Sequence, residues 1–252
     1  MIRKKILSVL IHNLEYKQCL DWIISASKKR MSSYVCVANV HMCVEAHNDP
    51  LFCRQLNDAD LVTPDGMPLV FALRLLYGLR QERIAGMDLL PDLLRLAEKN
   101  DLKVFFYGGT DEMIERTKTY IVDNYPLLSN TNYFSPPFRK LTEKEDQDVI
   151  NMINGSGSNL VFVALGCPKQ EKWMASMRGK INACMIGIGG ALPVLIGIQK
   201  RAPLWMQKTG MEWFYRLLQE PKRLFKRYLF TNTFFLYLFF KQLLFSRFFK
   251  NV

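Results

Sequence analysis

The segment Thr63-Pro64-Asp65-Gly66-Met67-Pro68 sets one carboxylate between two prolines and a glycine. The short apolar run Ala59-Asp60-Leu61-Val62 precedes it and Leu69-Val70-Phe71-Ala72-Leu73 follows, so the pattern reads strand, turn, helix. Proline fixes its own φ and suits a first helical turn, and Gly66 would allow a turn that few other residues make. The Asp65 carboxylate is therefore expected at the end of a strand, where open α/β sheets hold their ligands. An N-cap aspartate in an ordinary turn would give the same spacing.

Three glycine junctions could meet an anion: Gly108-Gly109, Gly166 and Gly189-Gly190 each follow an apolar run and precede a helical pattern. Helix N-termini carry unpaired N–H donors and partial positive charge, which suits phosphate. None is a Walker loop or a full G-x-G-x-x-G, so no nicotinamide or other cofactor is expected; together they suggest a cleft for a nucleotide or sugar phosphate. Gly166-Cys167-Pro168-Lys169-Gln170-Glu171-Lys172-Trp173 is the sharpest of them. Pro168 suits a helix start, and Lys169 and Gln170 would face the cleft from the first turn; a solvated surface helix is the alternative. Asp58-Ala59-Asp60 has the spacing that holds a divalent cation in many sugar-nucleotide transferases. It lies before the strand, however, at the end opposite Asp65, and no metal site is expected there. Without metal, a departing diphosphate needs arginine or lysine, and Arg216, Arg223 and Arg227 are the candidates.

The elements that must position these residues alternate along positions 1–198. Tyr34–Ala38 leads to Asn39 and a helical stretch through Cys53. Lys103–Tyr107 leads to a helix opening at Thr110-Asp111, Leu160–Leu165 to one over Gln170–Met177, and Ala183–Ile188 to Gly189-Gly190. Near-continuous hydrophobic strands alternating with helices predict an α/β fold, a Rossmann-like, mainly parallel sheet with helices on both faces. Thr142-Glu143-Lys144-Glu145 has capping-box spacing for a helix ending near Asn154, and Ser135-Pro136-Pro137 marks an exposed loop.

Residues 199–252 are different. They carry eleven Lys/Arg against Glu212 and Glu220, which is +9 of the chain's net +11. Aromatic and leucine residues from Trp205 to Leu229 interleave with the cations at helical spacing, and Pro221 is expected to start a new helix. Phe234–Phe240 is very apolar but ends at Lys241, far short of the about 20 residues that span a bilayer. The chain thus divides into a catalytic domain, 1–198, and a basic aromatic appendage, 199–252. That appendage suits a membrane interface with its cations on headgroups; a helix packed on the body or a subunit interface in a homo-oligomer would also cover it. Its long apolar clusters fit lipid better than bases, so no nucleic-acid partner is expected. No signal-peptide pattern opens the sequence, and six cysteines without a C-x-x-C pair read as reduced core residues; a cytoplasmic protein, peripheral on the inner membrane face, is expected.

Six ordered motifs carry a family resemblance: Asn39-Val40-His41-Met42, Thr63–Pro68, Gly166–Glu171, Gly187-Ile188-Gly189-Gly190-Ala191, Arg201-Ala202-Pro203 and Glu212–Leu217. In this order, from about Tyr34 to Leu229, the chain closely resembles the WecG/TagA/CpsF glycosyltransferases. The resemblance implies inverting, metal-independent transfer of a sugar, of N-acetylmannosamine type, from a UDP-sugar to a polyprenyl-diphosphate-linked acceptor in cell-surface polysaccharide or teichoic-acid-type biosynthesis. It implies Asp65 as catalytic base, Asn39 and Gln170 in the donor site, and Arg216, Arg223 and Arg227 at the diphosphates. Two stretches depart from the family pattern: Val37 replaces a frequent threonine, and Leu192-Pro193 stands where many members read Phe-Asp. A non-catalytic, membrane-associated nucleotide-sugar binding module is the alternative that those two departures favour.

Overall fold

The computed structural model describes residues 1–248; the side chains of Lys208, Arg223, Arg247 and Phe248 lie outside the described set. In chain order the elements are β1 (Ile2–Ile6), β2 (Val9–Asn13), α1 (Tyr16–Lys28), β3 (Ser33–Ala38), α2 (Val40–Asn48), α3 (Pro50–Asn57), β4 (Leu61–Pro64), α4 (Met67–Tyr77), α5 (Gly86–Lys99) and β5 (Val104–Gly108). There follow α6 (Asp111–Asn124), β6 (Asn132–Phe134), α7 (Glu143–Gly155), β7 (Leu160–Ala164), α8 (Lys169–Met177), β8 (Cys184–Gly187), α9 (Leu192–Leu195), α10 (Leu204–Thr209), α11 (Glu212–Gln219) and α12 (Pro221–Phe248).

Six strands form one parallel sheet in the order β4-β3-β8-β7-β5-β6. Alternate side chains enter two separate cores, as the two-residue period of a strand demands. Tyr34, Cys36, Val62, Val161, Val163 and Met185 face one side, and Val35, Val37, Leu61, Phe162, Cys184 and Ile186 the other. Residues of α2, α3, α4, α7 and α8 join the first core, whereas α1, α5, α6 and α9 contribute to the second. This is the Rossmann-like architecture that the strand–helix rhythm predicts. The Thr142 cap of α7 forms with its full capping box, and Pro221 does open the last helix.

The local reading fails where the chain makes short elements. The helical stretch after Asn39 is two helices, not one, because Pro50 has no N–H to continue α2 and Asp49 turns extended to cap α3. The antiparallel β1–β2 hairpin and the three-residue edge strand β6 carry too little apolar sequence to signal themselves. Gly66 lies at φ −91°, a conformation open to any residue, so it is not the special turn its type suggests.

The segment after residue 198 packs on the body. Leu224, Thr231, Phe235 and Phe239 form one buried stripe on α12, at the spacing that one helix face requires, and the two phenylalanines join the first core. Gln242 ties the helix to the hairpin, accepting from Leu7 N at 2.8 Å and donating to Lys5 O at 3.0 Å. The other side of α12 exposes Phe225, Leu229, Phe230, Leu236, Tyr237, Phe240, Leu244 and Phe245. Among the described residues no helix is long and apolar enough to cross a membrane.

Candidate active site

The carboxyl ends of β4, β3, β8 and β7 are neighbours, and the turns that leave them build one cavity of about 720 Å³. Asp65, Asn39, Gly189 and Gly190, and Gly166 with Gln170, come from these four turns respectively and all line it. Helices α11 and α12 close another side of it with Glu212, Trp213, Arg216, Arg227, Tyr228 and Phe235.

Asp65 is held by its backbone. Its N–H donates to Ala38 O at 2.8 Å, and Ile84 N donates to Pro64 O at 2.9 Å, which fixes the turn on both sides. The cap of α4 is Gly66, so the Asp65 side chain is not spent as an N-cap. Burial pushes its carboxyl up to about 6. Arg83, Arg216 and the Gly86 N–H work against that rise, and the nearby Glu212 adds to it.

Asn39 does cap its helix, with Oδ1 accepting from Met42 N at 3.1 Å, which leaves its amide N–H groups for a ligand. Gln170 is nearly buried; Oε1 accepts from Gly166 N at 3.1 Å, and Nε2 donates to Glu171 at 2.7 Å. The missing side chains of the β8 turn make room for these groups. A methyl added at Gly190 would lie 2.5 Å from Arg216 Nη2, and one at Gly189 would lie 3.0 Å from Gln170 Oε1.

Arg216 and Arg227 are half-buried, and their Nε atoms have no hydrogen-bond partner. Neither has an ion-pair partner among the described residues. Two unpaired guanidinium groups on a cavity wall are a site for an anion. The Arg223 side chain lies outside the described residues.

Three sequence candidates, Gly108, Gly109 and Lys169, sit elsewhere, as does the Asp58-Ala59-Asp60 run, where no metal is expected. Gly108 ends β5 and Gly109 follows it, one strand beyond the four that border the cavity, and neither lines it. Gly108 is instead packed on β7, where a methyl would meet Ala164 backbone atoms at 2.8 Å. Lys169 precedes Gln170 on α8, but a helix turns about 100° per residue, so Lys169 points to solvent. Asp60 accepts from Tyr34 N and pairs with Arg178 at 2.6 Å, at the amino end of β4. No group of three or more potential metal ligands occurs among the described residues.

A family-wide sequence model described as the glycosyl transferase WecG/TagA/CpsF family matches residues 4–248. The chain belongs to this glycosyltransferase family. Among curated relatives, an N-acetylglucosaminyldiphosphoundecaprenol N-acetyl-beta-D-mannosaminyltransferase of Bacillus subtilis is 32% identical over 220 residues, covering 84% of each chain. Proteins of the same name from Bacillus spizizenii and Staphylococcus aureus are 33% and 30% identical, over 76% and 79% of this chain and 73% and 77% of theirs.

In this WecG/TagA/CpsF glycosyltransferase the site also contains residues that motif reasoning did not single out. Arg83, from the loop between α4 and α5, lines the cavity and pairs with Glu212 at 2.5 Å and Asp88 at 3.4 Å. Arg201 also bonds Asp88, so two arginines and two carboxylates join α5 to α11 beside Asp65. His41 lines the same cavity, and burial with the nearby Arg227 pushes its imidazole below its usual range, against the pull of Glu45. Arg83 had no local signal, since the glycine turn of its loop is at Gly78, where α4 ends, and no periodicity or motif surrounds Arg83 itself. Val37 and Pro193, the two departures from the family pattern, both line the cavity as apolar surface.

Proposed function

We propose that this glycosyltransferase moves an N-acetylmannosamine-type sugar from a UDP-sugar to N-acetylglucosamine on a polyprenyl diphosphate, with inversion and without a metal ion. The curated relatives' names supply the sugar and the acceptor. The observation that carries the reading is a carboxylate, Asp65, in one cavity with the unpaired cations Arg216 and Arg227.

The acceptor hydroxyl would attack the anomeric carbon from the face opposite UDP. A carbon–oxygen bond to the acceptor forms as the bond to the diphosphate breaks, and Asp65 takes the hydroxyl proton. One displacement inverts the configuration. Asn39 and Gln170 would bind the donor, and Gly189-Gly190 would let it approach the backbone closely. Arg216 and Arg227, with Arg223 by sequence, would balance the diphosphate charge that a metal ion balances in other transferases.

Residues 1–198 would then act as the catalytic body, and 199–252 as the part that meets the cytoplasmic membrane surface. The exposed aromatics of α12 lie among Lys222, Lys226 and Lys241, a composition that suits an anionic lipid interface.

The test is UDP release from a panel of UDP-sugars, with a polyprenyl-diphosphate N-acetylglucosamine acceptor and EDTA present. Acceptor-dependent release from UDP-N-acetylmannosamine should survive EDTA and fall about 10²–10⁴-fold in Asp65→Asn. Release unchanged in the variant removes Asp65 as base; loss in EDTA removes metal independence; release confined to another donor removes the sugar assignment.

A further inference from the structure

Glu171 is the most unusual carboxylate in the molecule. It follows Gln170 in the first turn of α8 and is fully buried, yet it has no ion-pair partner among the described residues. One oxygen, Oε1, accepts from Gln170 Nε2 at 2.7 Å; the other has no N–H or O–H partner, and the only other side-chain donor beside the carboxyl among the described residues is the weak Cys167 thiol. Burial pushes the carboxyl up to about 7, and the ionisable groups beside it are the thiols of Cys167, in the turn before α8, and Cys36 on β3. An isolated buried carboxylate costs stability that an apolar residue of similar volume would not. Packing alone therefore gives no reason for it.

Its one strong contact does. A carboxamide fits a site in two orientations that differ by exchange of N and O. Here both ends are discriminated. The Gly166 N–H can only donate, so it takes Oε1, and the Glu171 carboxyl, which when ionised can only accept, takes Nε2. The amide plane is also walled in, since methyl groups at Gly187 and Gly189 would lie 2.7 Å from Nε2 and 3.0 Å from Oε1. One N–H and one oxygen lone pair of Gln170 remain, in a fixed arrangement on the cavity wall.

We propose that Glu171 is a positioning residue: it locks the Gln170 carboxamide in one orientation, so that the remaining N–H and lone pair meet the sugar-nucleotide donor. The proposal rests on the reading that Gln170 binds the donor. Glu171 itself touches no substrate.

The experiment compares full-length wild type, Glu171→Met and Glu171→Gln by donor kinetics, thermal unfolding and the NMR signals of the Gln170 side-chain amide. Those signals are assigned by their loss in Gln170→Met. In wild type the two amide protons should be well separated and slow to exchange, as a hydrogen-bonded, oriented amide requires. Glu171→Met should unfold at a higher temperature, because the unpaired carboxylate is gone, while its KM for donor rises about ten- to a hundredfold. A purely structural residue would not move stability and affinity in opposite directions. Glu171→Gln keeps an acceptor oxygen and should restore both the amide signals and the KM. Unchanged KM in Glu171→Met, or wild-type Gln170 signals resembling those of a free glutamine, would overturn the proposal. The amide signals decide even if Glu171→Met fails to fold. They also decide if no UDP-sugar is turned over, a result that would count against the proposed reaction instead.

Discussion

The strand-end wall of the cavity and the helical wall brought by residues after 198 treat their polar groups in opposite ways. On the strand side Asn39 caps α2, Gln170 is bonded at both ends, and the Asp65 turn is tied to β3. On the tail side Arg216 and Arg227 each present an Nε with no hydrogen-bond partner, and neither has an ion-pair partner among the described residues. One wall has its side chains oriented before any ligand arrives; the other is left short of negative charge. Such a division separates orientation from charge balance, and orientation is what a rigid sheet end supplies best.

That contrast ranks the variants. Asp65→Asn carries the largest effect: about 10²–10⁴ in turnover, with no loss of stability. The sign follows from its carboxyl being raised from 3.8 to about 6 in the folded protein. Ionisation then opposes folding, fully so above about pH 6 and not at all below the unfolded value, so the neutral amide should raise the Tm at pH 7 and leave it unchanged near pH 3. A lower Tm at pH 7 would show that Asp65 is a structural ligand of its turn.

Arg216→Ala and Arg227→Ala come next, at about 10² in kcat/KM for the acceptor, with Tm unchanged or higher because each group is unpaired. Lysine at either position should recover part of the loss, keeping the charge but not the planar fork. If alanine at both positions left turnover intact, the two walls would not differ in the way described.

Two glycine variants sharpen the same boundary. Gly190→Ala pushes on the Arg216 guanidinium, the mobile end of a side chain, and should raise KM several-fold with little change in Tm. Gly108→Ala meets Ala164 backbone at a φ of +106° and should cost about 1–3 kcal/mol of stability. Its KM, measured well below the unfolding temperature, should stay at the wild-type value; a raised KM would bring the β5 turn into the donor site.

Much of the site was legible because strand ends announce themselves. Asp65, Asn39, Gln170 and Gly189-Gly190 each follow an apolar run, and local sequence marks that position well. Gly108-Gly109 has the same local signal and lies outside, because only the order β4-β3-β8-β7-β5-β6 says which strand ends adjoin, and that order is a long-range property. Lys169 differs from Gln170 by one helical step, a rotation that the motif did not resolve. Arg83 was invisible for the reverse reason: a loop without pattern reaches the site through its ion pair with Glu212. In the tail, cations and aromatics were plain, but the buried stripe Leu224–Phe239 that docks α12 was lost among equally apolar neighbours.

The most direct test of Asp65 as the base of this cavity is the pH dependence of kcat/KM for sugar transfer between pH 4.5 and 8, wild type beside Asp65→Asn. A carboxyl raised to about 6 must lose its proton before it can accept another, so wild-type activity should fall as the pH drops through about 6 and level off above. The variant's residual rate should show no such step. The same step persisting in Asp65→Asn would assign it to another group and contradict the account.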